Sequence, residues 1–442
     1  MNAEVTAIKT AAETTLAQEF AQARGRLPGD KVVAAQRAAA FDVFAREGLP
    51  HRRVEDWKYT DLRVLMRDAK PLAAPPDARS KAIAKTAGAL VGDVETRRLV
   101  FVDGAFVPEL SDIAVLEPGL SISSLAGAMA GGDPLLATHL GQLAPASDVA
   151  VALNTALMGD GAVIRVAAGA TTKRPIHLLF VASEKPAATF TRSLLVVEKG
   201  ARAMLIESHE GPEGTDYQVN AAVEIFVGDE AHVDHVKLIG EGPDALHVST
   251  LAAVIGAHAR FNTFTFTAGG AVVRNQLFLK FDGEETVAGI RGATLLKGKQ
   301  HADTTLVANH VARGCQSREM FKTVLDDEAH GVFQGRIIVQ PGAQKTDAKM
   351  MTQGLLLSER AEMDHKPELE IFADDVQCGH GATTGALDDE LKFYLMARGI
   401  PAAEAEALLI QAFLGEAIEG IEHAGLREAL MDQVAAWLAR RG

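Results

Sequence analysis

The sequence predicts a mainly β protein whose core is a β-solenoid, with helical segments before and after it. Three observations support this fold class. Strand pairs recur along the middle of the chain, no helical pattern interrupts them there, and apolar residues follow helical spacing near both ends. In a solenoid each coil buries its apolar face against the next coil, so repeated strand pairs favour this architecture.

The first part of the chain is predicted to be helical. The stretch "KVVAAQRAAAFDVFAREG" has apolar positions at helical spacing, and Gly48 supplies a stop. In "LPHRRVEDWKYTDLRVL" we expect Trp57, Leu62 and Leu65 to pack on a neighbouring element. The stretch "PLAAPPDARSKAIAKT" is typical of a linker, so residues 1–95 are predicted to form an N-terminal helical domain and linker.

The middle of the chain, residues 96–385, is predicted to be the solenoid core. It opens with "LVFVDGAFV", a hairpin signal, and continues with apolar strands joined by small or charged turns. Most intervals between turn markers are 26 to 32 residues, and a single interval of 16 suggests an irregular coil. The same alternation could also build an antiparallel sandwich, which is the weaker prediction. The turn markers are Ala201, Ala231, Ala259, Thr286, Ala302, Ala329 and Ala361.

Residues 386–442 are predicted to form a C-terminal helical domain. Asp388 is a suitable N-cap for the first helix, and Gly399 is a suitable stop. The following segment is more apolar than one buried stripe requires. This surface is expected to cover either the open end of the solenoid or a partner protein.

Composition excludes several classes of function. The 442-residue chain has a net charge of −14, which disfavours nucleic acid and anionic lipid as partners. No apolar run approaches the length of a membrane helix, and "MNAEVTAIKTAAETTLAQEF" lacks the features of a secretion signal. Two cysteines in so long a chain indicate free thiols in a reducing compartment, so a cytoplasmic protein is expected.

Nucleotide loops and a carbohydrate cleft are poorly supported. "GATLLKGK" and "GHGATTG" have the wrong glycine spacing for a phosphate loop or a dinucleotide fingerprint. Adjacent Asp374 and Asp375 would point to opposite faces of a strand, so they do not form an acid–base pair in one cleft. A stand-alone β-helix enzyme acting on polysaccharides is therefore kept only as the alternative function.

Cys378 and His380 are the strongest candidate metal ligands. Positions two apart on an extended chain face the same side, and a thiolate with an imidazole suits iron, zinc or copper. A buried cysteine beside a hydrogen-bonded histidine is the commoner meaning of this motif. Because a tetrahedral metal or iron–sulfur site needs about four ligands, the others must come from distant side chains or another subunit. The distant candidates are His310, His330 and His365.

Three stretches resemble a known family. They are "RRVEDWKYTDL", "CQSREMFKTVLDDEAHGVFQGRIIV" and the long segment from "TDAKMMTQG" through "EIFADDVQCGHGATTG" to "FYLMARGI". Together they are similar to the SufB/SufD family of iron–sulfur cluster assembly proteins. "EDWKYTDL" and the low cysteine count favour the SufD branch over the SufB branch. The resemblance implies a right-handed parallel β-helix core between two helical domains.

The resemblance also implies partners and a function. It predicts a non-catalytic scaffold subunit of a SufBCD complex, which pairs with SufB through a β-helix edge and docks the SufC ATPase through residues 386–442. Whether two copies pair when SufB is absent stays open. The candidate contacts for SufC on the C-terminal helices are Tyr394, Leu395, Leu408, Phe413 and Leu414.

The family's functional histidine falls on His380, and the neighbouring cysteine falls on Cys378. The resemblance therefore predicts iron acquisition or cluster support at the SufB interface by these two residues. No tightly bound cofactor is expected; the iron or iron–sulfur cluster would be transient and shared with SufB. Gly379 stands between the two candidate ligands, where other members can carry serine.

Overall fold

The computed structural model describes residues 9–441, and the first residues of the predicted N-terminal helical segment lie outside that range. Among the described residues, most of the chain is β-structure and the helices lie mainly toward the two ends. The helices are α1 (Ala11–Ala23), α2 (Lys31–Glu47), α3 (Leu62–Leu65), α4 (Ala78–Ala84), α5 (Leu125–Gly131), α6 (Pro134–His139), α7 (Val149–Leu157), α8 (Asp389–Met396), α9 (Ala402–Ile418) and α10 (Ala424–Ala439).

Two long sheets contain all the strands of the described residues. The strands are β1 (Arg97–Val102), β2 (Ala105–Phe106), β3 (Leu120–Ser124), β4 (Ala162–Val166), β5 (Ile176–Val181), β6 (Ala188–Val197), β7 (Arg202–Glu210), β8 (Gln218–Val227), β9 (His232–Gly240), β10 (Leu246–Ile255), β11 (Arg260–Thr267), β12 (Val272–Phe281), β13 (Val287–Leu296), β14 (His301–His310), β15 (Gln316–Leu325), β16 (His330–Val339), β17 (Asp347–Leu356), β18 (Glu362–Ile371) and β19 (Gln377–Gly385). Sheet A contains β3 and the even-numbered strands from β4 to β18. Sheet B contains β1, β2 and the odd-numbered strands from β5 to β19.

The strands from β4 to β19 form eight coils, each with one strand in sheet A and one in sheet B. Every strand pairs in parallel with the equivalent strand of the next coil, as β12 does with β10 and β14. The predicted parallel solenoid is confirmed, and the sandwich alternative is wrong because its strands would pair antiparallel.

The coils are regular where the turn markers suggested an irregularity. Thr286, Cys315 and Thr346 occupy equivalent positions, each directly before a strand of sheet B. Ala329 and Ala361 each directly precede a strand of sheet A, so they lie at the other turn of the coil. The interval of 16 residues arose because the markers changed from one turn of the coil to the other at Ala302. Both turns favour small residues, so composition alone could not distinguish them.

The space between the two sheets is an apolar core built from columns of side chains. Parallel, in-register pairing stacks equivalent inward positions of successive coils directly on one another. One such column consists of Leu195, Ile225, Ala253, Leu279, Ala308 and Ile337, all of which are buried. The columns make the interior continuous from one end of the solenoid to the other.

The N-terminal helices cover the outer face of sheet A. Residues of α1, α2 and α7 share one apolar cluster with Phe190 and Val248 of that sheet. Trp57 and Leu62 are buried there as predicted, but Leu65 is 37% exposed, so its predicted packing is wrong. Arg274 and Asp303 form a buried ion pair in sheet A. Arg274 also donates to the Asp56 carbonyl oxygen, and this bond attaches the segment around Trp57 to the sheet.

The C-terminal helices cover the outer face of sheet B. Leu414, Ile418 and Leu430 of α9 and α10 pack in one cluster with Leu238 and Phe266. The apolar surface of these two helices therefore faces the side of the solenoid, and the expectation that it covers the open end is wrong. Asp388 caps α8 through the backbone N–H groups of Glu390 and Leu391, as predicted.

Helices α5, α6 and α7 lie inside the range predicted to be the β-core. They precede the first full coil, and their sequences are short apolar runs that periodicity does not separate from strands. None of the helices among residues 9–441 is long and apolar enough to cross a bilayer.

The two ends of the solenoid differ. At the N-terminal end, β2 and β3 pair antiparallel with β1 and β4 and finish both sheets. At the C-terminal end, β18 and β19 each pair with one neighbour, so their outer edges carry no strand. Pro367 lies within β18, which is typical of an edge strand because proline has no backbone N–H to donate.

Candidate functional site

Cys378 and His380 lie on β19, the last strand of sheet B. Their register partners on β17 are Ala348 and Met350, which are buried in the interior core. Both candidate ligands therefore face the inside of the solenoid from its last coil, on the same side as predicted. Since no coil follows, Cys378 is half-buried and His380 is exposed.

A cavity of about 490 Å³ lies beside these two residues. It contains Glu319 and Met350 in addition to Cys378 and His380. Basic side chains at its border give the cavity a mixed chemistry of thiol, imidazole, carboxyl and positive charge. These basic residues are Arg291, Arg318 and Lys349.

The Cys378 thiol is a poor nucleophile and a poor ligand until it loses its proton. Burial raises its pKa, and the nearby carboxylates of Asp347 and Glu319 raise it further. Because the thiolate is the form that binds metal, a cation arriving at this site must displace the proton. The protein alone thus holds Cys378 as a thiol at neutral pH.

Glu319 is the site residue that the sequence analysis missed. It is 2% exposed, and its carboxylate oxygens have no partner of good hydrogen-bond geometry among the described residues, although the Ser317 hydroxyl and the Arg318 guanidinium are close enough to favour its charged form. Burial raises its pKa to about 7. In the register of sheet B, Glu319 pairs with Met350 and Met350 pairs with His380, so all three occupy one inward column.

The three distant histidines do not complete a metal site within this chain. His310 is buried, stacks on Phe281 with ring centroids 4.1 Å apart and contacts the Ser317 hydroxyl at 3.1 Å. His330 pairs with Asp364 at 2.8 Å. Of residues 9–441, no group of three ligating side chains within 4.8 Å of one another includes Cys378 or His380.

His365 lies closer to the candidate site than the other two. Its ring nitrogens contact the hydroxyl groups of Thr352 and Thr384, each at 3.0 Å. Thr384 lies four residues after His380 on β19, so His365 links the last strand of sheet A to the last strand of sheet B. Its role in the structure is therefore to hold the final coil closed.

Asp374 and Asp375 lie in the turn between β18 and β19, not on a strand as the sequence analysis assumed. Asp375 pairs with Lys345, and its backbone carbonyl accepts from the Lys345 N–H at 2.6 Å. Its own N–H donates to Gln344. Asp375 is thereby occupied in holding a turn, and no paired-carboxylate cleft forms with Asp374.

The five apolar residues predicted to dock a partner have different environments. Tyr394 and Leu408 are 54% and 41% exposed, and Leu395 and Phe413 are half-buried. Leu414 is fully buried against sheet B, so it is unable to contact a partner in this conformation. Helix α8 has no buried residue; its exposed apolar side chains are Leu391, Phe393, Tyr394 and Met396.

Comparison with known proteins agrees with this architecture. Residues 180–413 match the family described as the SUF system FeS cluster assembly SufBD core domain, and residues 10–178 match the SufBD protein N-terminal region. The chain is 34% identical over 418 residues to an iron-sulfur cluster assembly SufBD family protein of Synechocystis, covering 92% of this chain and 91% of the relative.

Two relatives carry the name iron-sulfur cluster assembly protein SufD. The Escherichia coli protein is 33% identical over 396 residues, which are 88% of this chain and 89% of the relative. The Bacillus subtilis protein is 27% identical over 288 residues, which are 64% of this chain and 65% of the relative. The chain belongs to the SufBD family of iron–sulfur cluster assembly proteins.

Proposed function

We propose that this chain is a non-catalytic scaffold subunit of a SufBCD complex, which pairs with SufB and docks the SufC ATPase. One observation carries the proposal. Cys378, His380 and Glu319 line a single cavity at the end of the solenoid whose strands have unpaired edges. This observation supports the proposal because the candidate metal ligands lie beside strand edges to which another chain could be added.

The donor atoms in this cavity suit iron but are too few for a cluster. A thiol, an imidazole and a carboxyl offer one sulfur, one nitrogen and one or two oxygens. An iron–sulfur cluster is usually held by four ligands. In the proposed function, SufB supplies the remaining thiolates, and the iron or nascent cluster is transient and shared across the interface.

The surface proposed to pair with SufB is the open edge formed by β18 and β19. Unpaired strand edges present backbone N–H and C=O groups that another strand can bond. Ile371 and Phe372 lie at the end of this edge and are 40% and 60% exposed. Exposed apolar side chains beside free backbone groups are typical of a protein interface.

The surface proposed to dock SufC is α8, with Leu408 of α9 beside it. This short helix exposes four large apolar side chains, which is unusual for a helix that faces only solvent. Lys392 of α8 pairs with Glu406 of α9 at 2.9 Å, so the two helices are held together. Leu414 is not part of this surface, because it is buried against sheet B.

Reconstitution of the complex tests the metal role. SufB, SufC and this chain would be purified together, loaded anaerobically with iron and sulfide, and assayed for bound iron, sulfide and cluster transfer. We expect His380→Ala to lower all three by at least about fivefold. The matched control is His258→Asn, because His258 is exposed at a turn with a φ of 55° that asparagine tolerates.

Two results would count against parts of the proposal. Normal iron, sulfide and transfer in the His380→Ala complex would leave this chain a purely structural subunit. Hydrolysis of a polysaccharide by the isolated chain would instead favour the stand-alone enzyme. Neither Asp374 nor Asp375 has the arrangement that such an enzyme needs, because both lie in a turn.

A point substitution tests SufC docking better than removal of residues 386–442. Removing α9 and α10 would uncover Leu238 and Phe266 of sheet B, and the resulting misfolding would itself abolish binding. Phe393→Asp alters a side chain that is 71% exposed. We expect it to weaken SufC binding at least tenfold in a pull-down titration, whereas Val32→Asp on the 64% exposed Val32 of α2 leaves binding unchanged.

A further inference from the structure

A second group of ligating side chains lies far from the open end, among the second, third and fourth coils. His209 is near the end of β7, Glu241 follows β9 directly, and His247 is at the start of β10. All three side chains are buried, with exposures of 1%, 6% and 0%. Neither the proposed function nor the motifs in the sequence use any of them.

The three side chains converge on one point. One ring nitrogen from each histidine and one carboxylate oxygen lie within 4.8 Å of one another. His247 Nδ1 is 3.0 Å from Glu241 Oε2. Two atoms bound to one cation at about 2.0–2.2 Å are about this far apart, so a cation can replace the proton in this contact with little movement.

His209 has an unused ring nitrogen. Its Nε2 is buried and lacks a hydrogen-bond partner among the described residues. Nε2 of His247 is also unpartnered, but His247 faces Glu241 with Nδ1, so its Nε2 would remain an N–H. Buried polar atoms are normally bonded, and unbonded ones need an explanation.

The charged side chains around the group are compatible with a bound cation. Glu207 has its own partners, Lys237 at 3.8 Å and His235 at 2.6 Å. Glu241, by contrast, has only the His247 imidazole as an ion-pair partner among the described residues. A buried carboxylate without a full positive charge nearby is a favourable ligand for a metal ion.

One member of the group, Glu241, borders a cleft. Glu241 lines a cleft of about 560 Å³ together with its neighbours Gly240 and Gly242 and with Trp437 of α10. Its border carries both signs of charge, from Glu213 and from three basic residues. These are Lys297, Lys299 and Arg440.

We propose that His209, Glu241 and His247 form a binding site for one divalent first-row transition-metal ion, of the Zn²⁺ or Fe²⁺ class, which ties three successive coils together. Two imidazoles and one carboxylate are a common protein donor set for these ions. The site is independent of the cavity at Cys378 and His380, and it stands whether or not the proposed role in cluster assembly is correct.

Cobalt titration of the full chain, stripped with a chelator and kept anaerobic, tests the site. Co²⁺ bound by nitrogen and oxygen gives visible d–d bands without the thiolate charge-transfer bands that Cys378 would add. We expect one such equivalent in the wild type. His209→Gln and His247→Gln should weaken its binding at least about 100-fold, because each removes a direct ligand.

Controls distinguish this site from other histidines. His310→Gln alters a buried imidazole that also has an unpartnered nitrogen, and His232→Gln alters the half-exposed group of His232, Asp234 and Glu422. Both should bind Co²⁺ like the wild type. Zn²⁺ should raise the melting temperature of the wild type and both controls, but not of Glu241→Gln, which keeps an acceptor for the His247 N–H.

The proposal fails if the wild type shows no nitrogen- and oxygen-bound Co²⁺, or if all variants bind it equally. The three residues are then a hydrogen-bonded polar cluster only. The wild-type titration is decisive even if one of the glutamine variants does not fold.

Discussion

Two buried glutamates inside the same solenoid have opposite environments. Glu207, in the second coil, is 2% exposed, and although burial alone would raise its pKa, Lys237 and His235 hold it well below the usual value. Glu319, near the open end, is equally buried but has no ion-pair partner among the described residues, and burial outweighs the nearby Ser317 and Arg318 and raises its pKa to about 7. Of these two glutamates, the one in the second coil is compensated by charged neighbours and the one near the open end is not.

The difference separates groups that stabilise the fold from groups that serve a site. An unpaired buried carboxylate destabilises the folded state unless something else binds it. Glu207 of the second coil has a lysine of the third coil for this purpose, whereas the last coils place a cysteine and a histidine in the cavity with Glu319. The open end accepts a loss of stability at the position where the proposed ligand would arrive.

The largest expected effect comes from breaking the satisfied pair. Lys237→Met leaves the Glu207 carboxylate buried with only His235 beside it. We expect the free energy of unfolding in urea to fall by about 3 kcal/mol, since loss of one partner strands a buried charge. Lys349→Met, at a side chain that is 58% exposed on the cavity border, should change it by less than about 0.5 kcal/mol. Equal losses in the two variants would contradict the comparison.

The second prediction removes the unsatisfied carboxylate. Below pH 4.5 the Glu319 carboxyl is protonated in both the folded and unfolded chain, but as the pH rises to about 7 the unfolded chain loses this proton more readily. The wild type thus loses stability across this window. Glu319→Gln should be about as stable as the wild type near pH 4.5 and more stable by about 3 kcal/mol at pH 8.

Urea unfolding at a series of pH values measures this difference. Glu207→Gln is the matched control and should show the opposite sign, because its partnered carboxylate stabilises the fold at neutral pH. A constant gap between Glu319→Gln and the wild type at every pH would show that Glu319 is already satisfied.

The third prediction concerns the edge beside the site. Phe372 is 60% exposed at the end of β18, and Phe372→Asp should weaken the proposed pairing with SufB by about 30-fold, or about 2 kcal/mol. Calorimetric titration of SufB measures the affinity. Val115→Asp, at a 79% exposed position before β3, should have no effect. If both substitutions weaken binding alike, the open edge is not the interface.

The smallest effect is expected at the surface of the open end. Asp375→Ala removes an ion pair with Lys345 in which the side chains are 63% and 56% exposed. Exposed pairs contribute at most about 1 kcal/mol, so the urea midpoint should hardly move. A loss as large as that of Lys237→Met would show that the last turn is as important for stability as the second coil.

The sequence predicted the solenoid because its period is local and repeated. Each coil carries two strands and two small-residue turns, so the repeat is recognisable without knowledge of its register. The error at Ala302 arose because the two turns are alike, and the missed helices α5 to α7 are too short for periodicity to identify. The docking of α9 and α10 on sheet B depended on contacts between distant segments, which no local pattern records.

One part of the site was predictable because its geometry is local in the sequence. Cys378 and His380 are two residues apart, so their common direction follows from strand geometry alone. Glu319 lies in the same column only through two steps of register, from β15 to β17 and from β17 to β19. Alignment of the turns at Cys315, Thr346 and Val376, which precede β15, β17 and β19, is sufficient to assign Glu319 to the column of His380.

The short connection between β19 and α8 has a mechanical consequence. Three residues, 386–388, separate Gly385 from Asp389. An extended chain spans at most about 3.6 Å per residue, so this tether reaches about 14 Å. Any larger displacement of α8 from the end of the solenoid must pull on the strand that carries His380. A force applied to the exposed helix would therefore be shared between the coil at the open end, through this tether, and α9, through the pair of Lys392 and Glu406.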